Sequence, residues 1–170
     1  MRHIQISQAA TDDLPALVDA LGQERYFTAH LARQRDGHGV LLVAWWAGVP
    51  VGDVYLWLGS AEEAEVRARL PGVPLLTHLE VVGRHRNKRI GTQLVAAAER
   101  RLRALGHTRV ALGVDLDNPR VCRLYKRLGF EEWGYPPVRT TRVDYRAGRA
   151  VRTADVCRIL VKDLSLSLAS

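Results

Sequence analysis

Between Leu75 and Val114 an apolar run, a basic loop, an amphipathic stretch and a second apolar run follow one another, and this order restricts the fold more than any other part of the chain. "LLTHLEVV", Leu75–Val82, and "RVALGV", Arg109–Val114, read as strands. Between them Ile90, Leu94, Ala98, Leu102 and Leu105 recur at helical spacing, and Gly106 ends the helix. Two strands joined by a crossover helix of this length lie parallel in one sheet.

The remaining segments add strands of the other orientation. "RHIQISQ", Arg2–Gln8, alternates as a first strand, and "TDDLP" opens a helix that runs to about Gly22. A second helix covers much of Phe27–Asp36, and "DGHG" breaks it. Val40–Trp46 then forms a buried strand, and the turn Ala47–Pro50 folds it back as a hairpin with Val51–Leu58. Ala61–Leu70 is a short surface helix closed by Pro71–Pro74. Asn118, followed by Pro119, supplies an N-cap and a first-turn proline for a helix carrying Val121, Cys122, Leu124, Tyr125 and Leu128, which stops at Gly129. "GFEEWGY" begins another strand, the polar stretch after it is a long hairpin or loop, and Cys157–Lys162 is the final strand. With no repeat and no low-complexity linker, residues 1–170 are expected to form a single α/β domain.

The bulk composition is globular, at 47% hydrophobic and 25% charged residues, and no apolar stretch is long enough for a membrane span. The N-terminal segment has no apolar signal core, and Cys122 and Cys157 make no disulfide framework, so a cytoplasmic setting without membrane partners is expected. The net charge of +7 calls for an acidic ligand. Arg84, His85, Arg86, Lys88 and Arg89 fall within six residues. A nucleic-acid binder spreads its cations over a face and interleaves aromatics, so this focus points instead to a compact polyanion.

"RNKRIGT", Arg86–Thr92, lies where a strand ends and a helix begins. A helix N-terminus presents unpaired N–H groups and partial positive charge, which suits a phosphate. Gly91 allows close backbone approach, Thr92 adds a hydroxyl, and Arg86, Lys88 and Arg89 add charge; the competing reading is a solvated charge run. Neither GxxxxGK[ST] nor GxGxxG is present. The histidines and cysteines show no metal-ligand spacing, and there is no GxSxG elbow, so no metal and no covalent acyl-enzyme is expected.

The stretch "LEVVGRHRNKRIGTQLVAAAERRL…RVALGVDLDNPRVCRLYKRLGF" resembles the signature region of the GNAT superfamily, the acyl-CoA-dependent N-acyltransferases. The resemblance implies the GNAT fold, an α/β domain with a mixed, mostly antiparallel central sheet flanked by helices, and acetyl-CoA as cosubstrate. In that family a [Q/R]xxGx[G/A] loop binds the CoA pyrophosphate through backbone amides. Arg86 and Gly91 match its ends, and Arg89 stands where a glycine is usual. Carried onto this chain, the cofactor contacts fall on Val81, Val82, Arg86, Asn87, Lys88, Arg89, Ile90, Gly91, Thr92, Asn118 and Tyr125. "NPRVCRLYKRLGF" resembles the family's N…LYxxxGF element, which assigns Tyr125 as the general acid for the departing thiolate; a core tyrosine is the competing reading.

The implied reaction is acetyl transfer to a primary amine by direct attack in a ternary complex, and it needs a proton acceptor. An alkyl ammonium of pKa near ~10 must lose a proton before its nitrogen can attack a thioester. Glu80 and Asp115 are the leading candidates to take it and His78 is third, with strand alternation putting His78 and Glu80 on one face. The alternatives are that Glu80 pairs with a cation and that Asp115 and Asp117 only shape the loop before Asn118. Tyr26, Phe27, Trp45, Trp46, Trp57 and Trp133 could line a pocket or fill the core. A non-catalytic acyl-CoA sensor, a transferase acting on a protein or aminoacyl-tRNA amine, and a homodimer all remain open at this point.

Overall fold

The computed structural model describes residues 3–165, so Arg2, read as the start of the first strand, lies outside the described residues. The chain divides into two compact units, one made of residues up to Leu58 together with Leu76–Arg101, the other of Gly59–Leu75 and the residues from Leu102 onward. The fold is the expected mixed α/β type, with a mostly antiparallel sheet and flanking helices.

In the first unit, β1 (Ile4–Gln8), β2 (Gly39–Trp46), β3 (Val49–Trp57) and β4 (Leu75–Val81) are neighbours in that order. Antiparallel pairing sets Ile6 opposite Ala44 and Val43 opposite Asp53. The β2–β3 turn is shorter than the sequence suggests. Ala47 and Gly48 both have positive φ, 50° and 80°, the backbone of a two-residue hairpin turn, so β3 already starts at Val49. Pro50, which has no N–H to donate, sits opposite Trp45 where the register shifts. β4 runs opposite to β3: Val82 N–H donates to Val51 O at 2.9 Å, and the Thr77 hydroxyl donates to Tyr55 O at 3.2 Å. Gly52 permits this approach, since a Cβ there would stand 2.8 Å from the Glu80 carbonyl oxygen.

Helix α1 (Leu14–Leu21) has Pro15 in its first turn and ends at Gly22, whose φ is 69°. Helix α2 (Glu24–Arg35) starts three residues before the sequence reading. Gln34 ties it to the strands, donating to Ala9 O at 2.7 Å and accepting from Leu41 N–H at 2.8 Å. Leu17, Phe27, Leu41, Val43, Val54, Leu56 and Leu94 are the buried centre of the unit. Burying each of these side chains contributes roughly 1.5–3 kcal/mol of transfer free energy.

In the second unit, α3 (Ala64–Arg69) is shorter at both ends than Ala61–Leu70. Arg67 donates to the carbonyls of Ala61 and Glu62, both at 2.6 Å, which satisfies those groups outside a helix, and Ala61 joins Val66, Leu70, Val73, Ala111, Val138 and Ile159 in one apolar cluster. The parallel register predicted for the crossover is present, with Leu75 of β4 opposite Ala111 of β5 (Arg109–Asp115). β8 (Arg149–Asp163) pairs antiparallel with β5 on one side and with β6 (Glu131–Glu132) and β7 (Val138–Arg146) on the other. The polar stretch is therefore a hairpin, and the last strand begins at Arg149 rather than Cys157. A polar strand paired only at an edge carries no apolar alternation by which to read it.

The crossover helix α4 (Ile90–Ala104) buries Ile90, Leu94, Ala98 and Leu102 as its spacing predicts. Leu105 is a correction: it lies past the helix end and is 48% exposed. The chain leaves the helical path there, because His107 N–H returns to Leu102 O at 2.9 Å around Gly106, whose φ is 90°. Helix α5 (Pro119–Arg127) has the predicted cap, Asn118 Oδ1 accepting from Val121 N–H at 3.2 Å.

Candidate active site

The basic loop enters α4 through a backbone of unusual shape. After β4, a single turn over Gly83–His85 is closed by His85 N–H to Val82 O at 2.8 Å and Arg86 N–H to Gly83 O at 3.2 Å. Asn87 and Arg89 then have φ of 64° and 62°, and Ile90, 2% exposed, plugs the first turn of α4 into the core. Gln93 N–H reaches Arg89 O at 3.0 Å, so helix geometry leaves the N–H groups of Ile90, Gly91 and Thr92 without intrahelical acceptors. Arg84, Arg86, Lys88 and Arg89 are exposed around this helix end. Arg86 Nε donates to Val81 O at 3.1 Å, which anchors its guanidinium beside the loop, and Lys88 lies over the Trp46 ring at 5.6 Å. These donors and charges fit a diphosphate.

Arg89 enters α4 with its backbone left-handed, at φ 62°. Its left-handed φ is the one that favours glycine, which accounts for the glycine usual at this place in the resembling loop. Replacing Arg89 by Gly should remove about 1–2 kcal/mol of backbone strain and restore about 0.5–1 kcal/mol of unfolded-state entropy cost. The expected result in a melting scan is a rise of a few degrees, roughly 2–4 °C per kcal/mol, with acetyl-CoA affinity changed by less than about tenfold in calorimetry. A complete loss of binding would identify the Arg89 guanidinium as a primary phosphate ligand.

Val81 ends β4 and Val82 follows it at the foot of this loop. Both main-chain groups of Val82 are taken up by the fold, its N–H by Val51 O and its carbonyl by His85 N–H.

A second cluster in the first unit gathers around His78. The strand is not regular there, since His78 has φ 50°, a conformation that His and Asn tolerate better than most residues. Even so, His78 and Glu80 do come together as the sequence suggests, with Nε2 3.8 Å from Glu80 Oε2. Glu80 Oε2 also accepts from Gln23 Nε2 at 3.1 Å. The Tyr26 ring stacks on His78 with centroids 3.9 Å apart, and His30 lies against both Tyr26 and Tyr55. Behind these lies Asp53, 2% exposed, its Oδ2 3.6 Å from His78 Nε2. Burial, then the Glu80 charge, pushes the Asp53 carboxyl well above the usual range, against the opposing pull of the Tyr26 hydroxyl. Burial holds His78 below an ordinary imidazole, with Glu80 acting the other way. The sequence reading gives Tyr26 only a place in a pocket or the core and gives Asp53 no role, although one carboxylate inside the otherwise apolar "VGDVYLWL" is a signal that marks it.

The second unit holds the predicted residues Tyr125, Asn118 and Asp115. Tyr125 on α5 is 6% exposed, with its ring edge-on to Phe130 at 5.5 Å, and burial pushes its hydroxyl up to about 12. Asn118, besides capping α5, lines a cleft of about 190 Å³ with Asp115, Pro119, Cys122, Lys126 and Arg158. Asp115 Oδ1 accepts from Asp117 N–H at 3.0 Å. That bond holds its carboxyl below the usual range, so Asp115 shapes the turn and makes a weak base. Glu80 has Gln23 and His78 as neighbours.

Among the described residues no helix is long and apolar enough to cross a membrane. The sequence model of the acetyltransferase (GNAT) family matches residues 5–130. No curated protein matches the chain in sequence. Among solved structures, the fold is similar to that of the PaiA N-acetyltransferase of Thermoplasma acidophilum in complex with coenzyme A, at 16% identity and TM-score 0.64 over 95% of this chain and 99% of that one. It is also similar to the ribosomal-protein-S18-alanine N-acetyltransferase of Escherichia coli, at 18% identity and TM-score 0.65 over 99% and 97% of the two chains. The putative acetyltransferase yncA of Salmonella typhimurium, solved with acetyl-CoA, gives 18% identity and TM-score 0.65 over 99% and 98%.

Proposed function

The chain belongs to the acetyltransferase (GNAT) family, and from that premise we propose that it transfers the acetyl group of acetyl-CoA to a primary amine, of a small molecule, by direct attack in a ternary complex. The observation that carries this reading is the helix end at Ile90–Thr92, where free N–H groups, left-handed backbone at Asn87 and Arg89, and a ring of arginine and lysine meet. Proteins of similar fold hold coenzyme A or acetyl-CoA. Acetyl-CoA supplies the activated acetyl thioester.

The residues divide the remaining work. Ile90, Gly91 and Thr92 donate backbone N–H bonds to the diphosphate, while Arg86, Lys88 and Arg89 neutralise its charge. Glu80 takes the proton that the amine must lose, because it combines exposure with a carboxylate at the rim of the His78 cluster. Tyr125 keeps its proton throughout the neutral range and donates from its hydroxyl to the departing sulfur. Both units serve one catalytic domain under this reading, the family match of residues 5–130 taking in parts of each.

The test is a thiol-release assay with acetyl-CoA against a panel of primary amines, from amino acids and polyamines to peptides with a free N-terminus or lysine. Turnover with at least one small amine is expected, falling by about 10²-fold in Glu80→Gln. Absence of thiol release with every amine would leave the proposal without support, and turnover confined to peptides would move the acceptor to a protein.

A further inference from the structure

Asp53 has no task in the reaction as divided above, and a carboxylic acid in the middle of an apolar strand needs one. Its Oδ2 and His78 Nε2 are both buried and face each other at 3.6 Å, just outside hydrogen-bond distance, with the Tyr26 hydroxyl acting on the same carboxyl. Buried polar atoms are nearly always paired, and the exceptions call for an explanation such as a catalytic role. The same Nε2 is 3.8 Å from Glu80, whose side chain is 56% exposed. Exposure thus falls from Glu80 through His78 to Asp53. The stacked Tyr26 ring packs against the imidazole between them.

We infer that His78 is a proton relay behind Glu80 and that Asp53 is the positioning residue that allows the relay to hold its proton, an inference that rests on the proposed N-acetyltransferase reaction. The ammonium N–H bond breaks as an O–H bond forms on Glu80. That proton passes to His78 Nε2, which restores the Glu80 carboxylate during the attack, and it later returns through the exposed Glu80 carboxylate to water. The freed nitrogen lone pair forms the C–N bond as the C–S bond breaks. The second N–H proton, lost as the amide forms, leaves by the same route, while Tyr125 gives its proton to the sulfur and recovers one from water.

The relay is needed because a carboxylate, near ~4.3, is a poor resting place for a proton from an ammonium near ~10, whereas an imidazole near ~6.5 holds it about a hundredfold better. Burial works against an imidazolium at His78 and against a carboxylate at Asp53 alike, and at 3.6 Å each charge offsets the cost of the other. Of the other groups facing the pair, Glu80 also raises His78, and the rest supply no negative charge. From α2, Tyr26 is a phenol raised by burial, His30 is lowered to about 4 chiefly by burial, and Arg33, 3.2 Å from His30 Nε2, is a cation. From β3, Tyr55 is likewise raised by burial, and from β4 the anion is Glu80 itself. His30 stays neutral, so His78 is the imidazole of this cluster that titrates, and it does so jointly with Asp53.

Imidazole NMR on the whole protein between about pH 4 and 9 follows His78 directly. His78→Asn assigns its signals and keeps a residue tolerant of the left-handed backbone. In Asp53→Asn the His78 midpoint should fall by about one pH unit or more. The relay needs neutral His78, so activity rises with pH through that midpoint, and the acidic limb of kcat/KM should move down with it. With the small amine that the wild type acetylates in the panel, kcat/KM for the amine at pH 7 should fall about tenfold or more and the KM for acetyl-CoA should stay unchanged. His78→Asn should lose a similar amount, with Asp53→Asn costing nothing further on top of it. An unmoved His78 midpoint in Asp53→Asn, a moved midpoint with a wild-type rate profile, or a rate lowered equally at every pH would each overturn the inference. Should Asp53→Asn not fold, a wild-type profile in His78→Asn overturns it and the predicted loss supports it. A wild-type protein that acetylates no amine overturns the proposed function together with the relay, and the panel shows this before any variant is made.

Discussion

Gly91→Glu is expected to weaken acetyl-CoA binding by well over about tenfold while leaving the protein folded. The protein itself does not require glycine at this position. A Cβ built on Gly91 meets Leu79 Cδ2 at 3.8 Å and Val81 Cγ2 at 3.9 Å, both ordinary contacts, and the backbone is outside the left-handed region. In a helix, glycine is about 1 kcal/mol worse than alanine, so Gly91→Ala should raise the melting temperature by a few degrees. A glycine that packing does not demand points to the ligand as the reason for it, through close approach of the backbone to phosphate. A glutamate in the first turn interacts favourably with the empty helix end, by about 0.3–1 kcal/mol, yet repels a diphosphate placed there. Calorimetry with acetyl-CoA on both variants, alongside their melting curves, checks this. A wild-type dissociation constant in folded Gly91→Glu would mean that the phosphates lie away from α4.

The parts of the fold that could be read in the sequence are those in which one periodicity served one buried face. Ile90, Leu94, Ala98 and Leu102 marked α4 because each turn returns an apolar side chain to the same core, and Asn118–Pro119 marked the start of α5 because capping is local chemistry. The readings that failed involve the backbone leaving a regular path. Leu105 kept the spacing after the helix had ended, Ala47 took up a left-handed turn that favours glycine, and the first half of β8 mixed arginines, alanines, valines, a threonine and an aspartate along an edge. The candidate site divides in the same way. Charge and glycine placed the loop at Arg86–Thr92 and, with its neighbours, the cap at Asn118. The left-handed φ of Arg89 could not be read, because nothing in an arginine codes for it. Asp53 and His78 are 25 positions apart, on adjacent strands, and their approach depends on the close packing that Gly52 allows between β3 and β4. Sequence alternation grouped His78 with Glu80; only tertiary structure adds Asp53.

Tyr125→Phe should lower turnover by about 10²-fold at saturating substrates while acetyl-CoA affinity barely changes. The substitution keeps the ring that packs edge-on against Phe130 and deletes only the hydroxyl. Burial sharpens what that hydroxyl can do. With its pKa pushed up to about 12, it is protonated at every pH at which the enzyme would be assayed, so its readiness as a donor should impose no limb on the pH profile below the alkaline range. Complete transfer to a thiolate whose acid lies near ~8.5 is uphill by roughly three to four pH units, so the proton must be drawn over as the C–S bond stretches and charge builds on sulfur, and a free, solvated thiolate would not take it. The benefit is therefore concentrated in the transition state, which is why kcat should fall and the dissociation constant should not. A tyrosine that only fills the core gives the reverse pattern: full turnover, with a lower melting temperature if its hydroxyl is bonded in the folded protein, by the ~1 kcal/mol of one hydrogen bond. Turnover, affinity and melting measured on the one variant separate the two, and wild-type turnover in Tyr125→Phe would end the general-acid assignment.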